Sequence, residues 1–219
     1  MSNSAAGASA ETRPASGPAR SPCTGTRPQF LRSPAGAILA CGFLTAGLPG
    51  GTRAHVLAVT EHPARRIRIL GVTLHPAGQR TAQQARNLVM DPGEQASQVT
   101  FMIRDREPDF TAALDAVLAG AGIRTMLGNV QAPRMNAITE RRTGGCRREL
   151  PDRTRIRNQA HLRRILHDYE THHNQHRPHR SLRGAAPLKP LPEPADPDLY
   201  RIRRPARAGG LINEHHLVA

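Results

Sequence analysis

Apolar and polar residues follow two different periods along this chain, and each period predicts one kind of element. Five apolar segments have the length and bounding residues of β-strands, and in the third isoleucines alternate with arginines. They cover residues 35–48, 56–59, 66–74, 99–103 and 123–127. His62-Pro63 predicts the turn between the second and third strands.

Apolar residues at a spacing of three and four predict helices between and after these strands. Thr81 is a candidate N-cap with Gln84 three residues later, and Pro92-Gly93 ends that pattern. Asn136 is a candidate cap for a helix that contains Glu140. Two further helical stripes are Phe110, Leu114, Val117 and Leu118, and then Leu162, Ile165, Leu166 and Tyr169.

The order of these elements predicts one α/β domain, a mixed sheet flanked by helices on both faces. We assign this core to residues 35–190. Residues 1–34 are rich in Ala, Ser, Gly and Pro without a period, which predicts a disordered leader. Residues 191–219 form a basic, Pro-rich tail that we likewise predict to be disordered, although 211–212 and 217–218 could add a short strand.

The net charge of +14 on 219 residues favours a polyanionic partner, and nucleic acid is the first candidate. Between Arg141 and Arg183 there are twelve arginines against four acidic residues, so this segment is the candidate DNA-facing surface. On charge alone, a solvated helix face explains the segment equally well.

Three cysteines without CxxC spacing do not indicate a disulfide framework or a cysteine-rich zinc site, and they fit a reducing cytoplasm. The apolar run at 35–48 is too short to span a bilayer and starts too late for a lipoprotein signal. We therefore expect no membrane association.

Two carboxylates have positions that suit chemistry. Asp105 follows a predicted strand, and Glu140 lies in the first turns of a predicted helix. Their spacing alone is a weak signal, because acidic residues at such places more often serve as caps.

Four motifs around these carboxylates follow one another in a recognisable order. They are FMIRDREPDFT from Phe101, NAITER from Asn136, RREL from Arg147 and NQHRPHRSL from Asn174. Together, from about Ile38 to Pro190, they resemble the DDE integrase core of bacterial insertion-sequence transposases and retroviral integrases. The resemblance implies an RNase H-like fold, DNA as substrate, action in DNA integration and transposition, and a bacterial cytoplasm with nucleoid association.

The resemblance also implies two Mg²⁺ or Mn²⁺ ions held by three carboxylates for phosphodiester strand transfer. Asp105 matches the second aspartate of that set and Glu140 the glutamate, whereas Gly42 stands where the first aspartate belongs. A glycine brings no oxygen ligand, so we expect strand transfer to be impaired. Asp91 and Asp109 are the nearest possible replacements, but both are better explained as cap or turn residues.

Arg141, Arg142, Arg147 and Arg148 are the candidate phosphate contacts along the Glu140 helix, and we expect Glu149 to pair with an arginine. His172 and His176 have the spacing of a helical metal pair, but no acidic or cysteine ligand is adjacent in sequence. We therefore predict that these two histidines, together with His173 and His179 in the same short span, pack structurally.

Two other hypotheses remain beside DNA strand transfer. The chain could be an inactive remnant that binds nucleic acid, itself or a full-length transposase. It could also be an unrelated basic protein of the ribosome-associated kind, which predicts neither metal dependence nor a sheet with Asp105 at its edge.

Overall fold

The computed structural model describes residues 38–75, 78–90, 99–128, 137–191, 196 and 199–218. Within α3, defined below, the side chains of residues 137–140, 142 and 143 lie outside this description. The predicted leader, Asp91, Pro92-Gly93 and the Asn136 cap also fall outside the described residues.

A five-stranded sheet forms the centre of the fold, in the order β3-β2-β1-β4-β5. Its strands are β1 (Ile38–Gly47), β2 (Arg53–Glu61), β3 (Ile67–Thr73), β4 (Phe101–Arg104) and β5 (Arg124–Leu127). The first three strands are antiparallel neighbours, whereas β4 runs parallel to β1 and β5 parallel to β4. All five predicted strands are therefore present.

Four helices cover the two faces of this sheet: α1 (Gly78–Met90), α2 (Ala112–Gly120), α3 (Ala137–Glu149) and α4 (Gln159–Gln175). Side chains of β1 alternate between the faces, because successive residues of a strand point to opposite sides. Leu39 and Cys41 belong to the core beneath α1 and α2, whereas Leu44 and Ala46 belong to the core beneath α3 and α4. This two-sided burial explains why β1 reads as a nearly continuous apolar run.

Helix α4 closes the open edge of the sheet with one stripe of polar side chains. Asn174 accepts a hydrogen bond from the Ile67 amide at 2.9 Å and donates one to the Ile67 carbonyl at 2.8 Å. One turn earlier, Glu170 accepts from the Ile69 amide at 3.1 Å. Further along, Gln159 and Arg163 both donate to the Val72 carbonyl. The backbone groups that β3 would otherwise leave unpaired are thus satisfied by a helix.

The described part of the C-terminal segment adds two β-ribbons to the fold. They pair β6 (Arg201–Arg203) with β9 (His216–Val218), and β7 (Ala206–Arg207) with β8 (Ile212–Asn213). Ala208 and Ile212 are buried in the core beneath α3 and α4. The composition of the sequence predicts that the domain ends at position 190. The ordered structure extends beyond this position, because Ala208 and Ile212 pack in that core.

One predicted boundary was wrong. Thr81 does not cap α1, because the helix begins at Gly78 and Thr81 is buried within it. The Gly144-Gly145 pair does not interrupt α3, which continues to Glu149.

Three antiparallel strands followed by two parallel ones, with helices on both faces, make this an RNase H-like fold, as predicted. No helix in the described part of the chain is long and apolar enough to cross a membrane.

Candidate active site

Gly42 lies on β1, and Asp105 directly follows β4, the strand parallel to β1. The register pairs Leu39 with Met102 and Ala40 with Ile103. If this register is continued two residues beyond its last pair, Gly42 comes opposite Asp105. Paired residues of parallel strands point to the same face, and Ala40 and Ile103 belong to the cluster on the α3 side. The Cβ position of Gly42 and the side chain of Asp105 therefore share that face by register.

Helix α3 brings the third candidate position to this region. It packs against β1 and β2, and Glu140 lies in its first turns. The Glu140 side chain is outside the described residues, so its distance to Asp105 stays a prediction. The backbone nevertheless places the three sequence positions on one side of the sheet.

The Asp105 carboxylate is half-buried and takes part in a short turn. Its Oδ1 accepts a hydrogen bond from the Glu107 amide at 3.2 Å. Burial raises the pKa of Asp105, although that hydrogen bond and the nearby Arg104 act in the opposite direction. Partial desolvation, with the negative charges of Asp105 and Asp109, raises the pKa of Glu107 to about 7. This loop therefore concentrates negative charge in a region that favours a cation.

A buried ion pair between Arg104 and Asp115 holds the end of β4 in place. The Arg104 guanidinium donates to both carboxylate oxygens of Asp115, at 3.1 and 2.6 Å, and its Nη1 donates to the Asp105 carbonyl at 3.0 Å. Thr125 Oγ1 donates a further hydrogen bond to Asp115 Oδ1 at 3.1 Å. Sequence reasoning did not assign a role to Arg104 or Asp115. The available signal was an arginine inside an apolar strand, because a buried charge requires a partner.

Asp109, one of the two possible replacements for a first aspartate, is paired with a histidine of β2. Its Oδ2 lies 2.9 Å from His55 Nδ1, and His55 pairs with Thr45 on β1. Thr45 points to the same side as Cys41 and Phe43, and the neighbouring Phe110 ring packs on Phe43 with centroids 4.9 Å apart. Asp109 is thus tied through His55 to the side of β1 that α1 and α2 cover, and it lies in a turn as predicted.

The described residues do not complete a two-ion magnesium site. Such a site needs several oxygen ligands, and Asp105 is the one carboxylate described at the shared face of Gly42 and Asp105. Gly42 has no side-chain donor. The neighbouring Cys41 thiol is no substitute, because it faces the other core and burial strongly raises its pKa.

The arginines of α3 that are candidate phosphate contacts differ in whether they pair with an acidic residue. Arg141 and Arg148 are exposed on α3. Arg147 is also exposed, but its Nε lies 3.5 Å from Asp152, and the Arg142 side chain is outside the described residues. Glu149 forms a two-pronged pair with Arg177 at 2.6 and 2.8 Å, which confirms the predicted arginine partner.

The four histidines in and just after the last turn of α4 fall into two groups. His173 and His179 are buried and pack with ring centroids 4.8 Å apart, as predicted for structural residues. His172 and His176 lie beside the buried Glu214, at 3.6 and 3.8 Å from its Oε1. Burial lowers the pKa of both imidazoles. The acidic neighbour that the sequence did not show is therefore supplied by the C-terminal segment.

The fold and this loop define an RNase H-like protein with an acidic cluster at the end of β4. Residues 121–187, which include Glu140 and α4, match the family model of the integrase core domain. That part of the chain is therefore similar to integrase core domains, in agreement with the resemblance of its motifs. The search of curated proteins gave no match.

Solved structures of retroviral integrases are similar to this chain. One is the HTLV-2 integrase catalytic core domain in complex with magnesium, in a trimeric form. It is 10% identical with a TM-score of 0.46, over 69% of this chain and 93% of that one. Another is the simian T-cell lymphotropic virus intasome in complex with PP2A regulatory subunit B56 gamma. It is 9% identical with a TM-score of 0.37, and the match covers 53% of this chain and 44% of that one.

Proposed function

We propose that this chain is a DNA-binding integrase core of the DDE transposase type whose strand-transfer centre is incomplete. The observation that carries this proposal is the register between β1 and β4, because its continuation would bring Gly42 opposite Asp105 on the face that α3 covers. In that arrangement Asp105 and Glu140 are two members of a three-carboxylate set. Gly42 stands at the position of the third carboxylate and supplies none.

The physical consequence is a loss of charge and of a ligand at one position. Two divalent cations repel each other strongly at short distance, and a carboxylate between them offsets this repulsion. Gly42 offers neither charge nor oxygen, and Asp109 is paired with His55. The unmodified chain therefore binds DNA but joins DNA strands poorly or not at all.

DNA binding rests on a different part of the surface. Arg141 and Arg148 are exposed on α3, the helix that carries Glu140 and that packs over β1. Arginines at such positions contact phosphates without reading sequence. An insertion-sequence origin, a bacterial cytoplasm and assembly with itself or with a full-length transposase belong to the same proposal.

A strand-transfer assay tests the proposal. A pre-cut DNA end is incubated with Mn²⁺ and the unmodified chain, the Gly42→Asp variant, or the Gly42→Asn variant. We expect joined product from Gly42→Asp alone, because asparagine fills the same space without the charge. Equal product from the unmodified chain and Gly42→Asp would show that the first ligand lies elsewhere.

A further inference from the structure

We infer that His176, Glu214 and His216 form a zinc-binding site that fastens the C-terminal ribbons to α4. Among the described residues, one ligand atom from each of these three side chains lies within 4.8 Å of the other two. The site is separate from the Asp105 region and does not depend on the proposed strand-transfer activity.

His216 forms a hydrogen bond with Glu214, whereas the imidazoles of His172 and His176 stand at distances from Glu214 that suit a shared cation better than a hydrogen bond. His176 Nε2 and His172 Nδ1 lie 3.8 and 3.6 Å from Glu214 Oε1, both too long for a hydrogen bond. Zinc binds nitrogen and oxygen at about 2.0–2.2 Å in tetrahedral geometry, so neighbouring ligand atoms lie about 3.3–3.5 Å apart. His216 Nε2 lies 3.3 Å from the other carboxylate oxygen of Glu214. Small shifts bring these atoms to zinc distances.

The burial of the cluster provides a second, independent observation. Glu214 is 2% exposed, and a buried carboxylate requires compensation. Arg207 Nε and His216 Nε2 both lie beside Oε2, at 3.2 and 3.3 Å, whereas Oε1 faces the imidazoles of His172 and His176. His172 Nδ1 is buried without a hydrogen-bond partner among the described residues, and Oε1 is beside it. A divalent cation at Oε1 satisfies the carboxylate where no hydrogen bond does.

The ligand atoms of His176, Glu214 and His216 favour zinc over magnesium. Two imidazoles and one carboxylate are a zinc ligand set, whereas Mg²⁺ prefers an all-oxygen shell. His176 ends α4 and Glu214 and His216 lie around β9, so the bound ion joins segments about forty residues apart in sequence. Zinc thereby stabilises the packing of the ribbons on α4.

Zinc titration of the metal-free full chain tests this inference, with a chromophoric chelator as competitor. We expect one Zn²⁺ per chain, and an affinity at least a hundredfold lower in the His176→Gln/His216→Gln variant. The matched control is His167→Gln, an exposed histidine on the same helix, which retains the native affinity. Millimolar Mg²⁺ should not displace the zinc.

Two further readouts keep the test decisive if the double variant folds poorly. The unmodified chain loaded with Co²⁺ should show the intense visible bands of four-coordinate cobalt, and zinc should abolish them. Zinc should also raise the thermal midpoint of the unmodified chain. A weak six-coordinate cobalt spectrum, or native zinc affinity in a folded double variant, would overturn the inference.

Discussion

Arg104 donates a hydrogen bond from Nη1 to the backbone carbonyl of Asp105 at 3.0 Å. The same guanidinium is bound to both oxygens of the buried Asp115, so the backbone of the candidate metal ligand is tied to α2. The position of Asp105 therefore depends on a pair of residues that take no part in the chemistry.

The buried pair is expected to be strongly coupled. Asp115→Ala leaves the Arg104 charge buried and uncompensated, so the free energy of unfolding should fall by about 3–5 kcal/mol. Urea denaturation measures this change. The exposed pair of Arg147 and Asp152 supplies the control, because Arg147→Ala should cost less than about 1 kcal/mol.

An apolar double replacement distinguishes burial of charge from loss of packing. Arg104→Met/Asp115→Leu should recover much of the stability lost in Asp115→Ala, because neither charge then remains buried. If the double variant is as unstable as Asp115→Ala, the ion pair is not the source of the effect.

The edge of β3 is expected to depend on Asn174. Asn174→Ala removes two hydrogen bonds to the Ile67 backbone and leaves both backbone groups unpaired, at a cost of about 2–4 kcal/mol. Hydrogen exchange at the Ile67 amide should accelerate with the loss of stability. Asn87→Ala, at an exposed position on α1, should have little effect on either measurement. Unchanged exchange at Ile67 would contradict the proposed edge closure.

Glu170 is expected to make stability pH-dependent. Burial raises the pKa of its carboxyl group above the usual 4.5, so the folded state binds this proton more tightly than the unfolded state. Its contribution is fully present below pH 4.5 and is lost as pH rises through the raised pKa. Glu170→Gln keeps an acceptor for the Ile69 amide without ionising. The variant should therefore gain stability relative to the parent between pH 4 and pH 7, as measured by urea denaturation. A difference that stays constant over this range would rule out the titration.

DNA affinity should depend on salt through the arginines of α3. Each phosphate contact contributes about −0.9 to the slope of log K against log salt. Arg141→Ala/Arg148→Ala should therefore reduce the slope by up to about 1.8, as measured by fluorescence anisotropy with duplex DNA. Arg201→Ala/Arg203→Ala removes the same charge from the exposed β6 ribbon and should leave the slope nearly unchanged. The reverse order of effects would place the DNA on the ribbons.

The sequence was sufficient for the sheet and for the helices that flank it. The alternation of apolar and polar residues around Ile103 and the apolar helical stripe of Leu162, Ile165 and Leu166 are local patterns. They can therefore be recognised without knowledge of the tertiary structure. The buried Thr81 shows the limit, because it lies inside the helix and not at its N-cap, so tertiary context outweighed its local preference.

The parts of the sites that sequence reasoning missed depend on contacts between distant positions. Glu214 reaches His172 and His176 across about forty residues, and Asn174 reaches Ile67 across 107 residues. No local pattern encodes such pairs. Asp105 and Gly42 were recognisable because family motifs surround them, whereas Arg104 and Asp115 carried only the weak signal of charge within apolar segments.

Cation binding by a charge-restored chain tests the central relationship most directly. Mn²⁺ affinity, measured by electron paramagnetic resonance with zinc present to occupy the histidine cluster, is compared among the unmodified chain, Gly42→Asp and Gly42→Asp/Asp105→Asn. We expect at least tenfold tighter binding in Gly42→Asp and a return to the unmodified level in the double variant, because both carboxylates face one side of the sheet. The same affinity in all three proteins would contradict the pairing of positions 42 and 105 in one site.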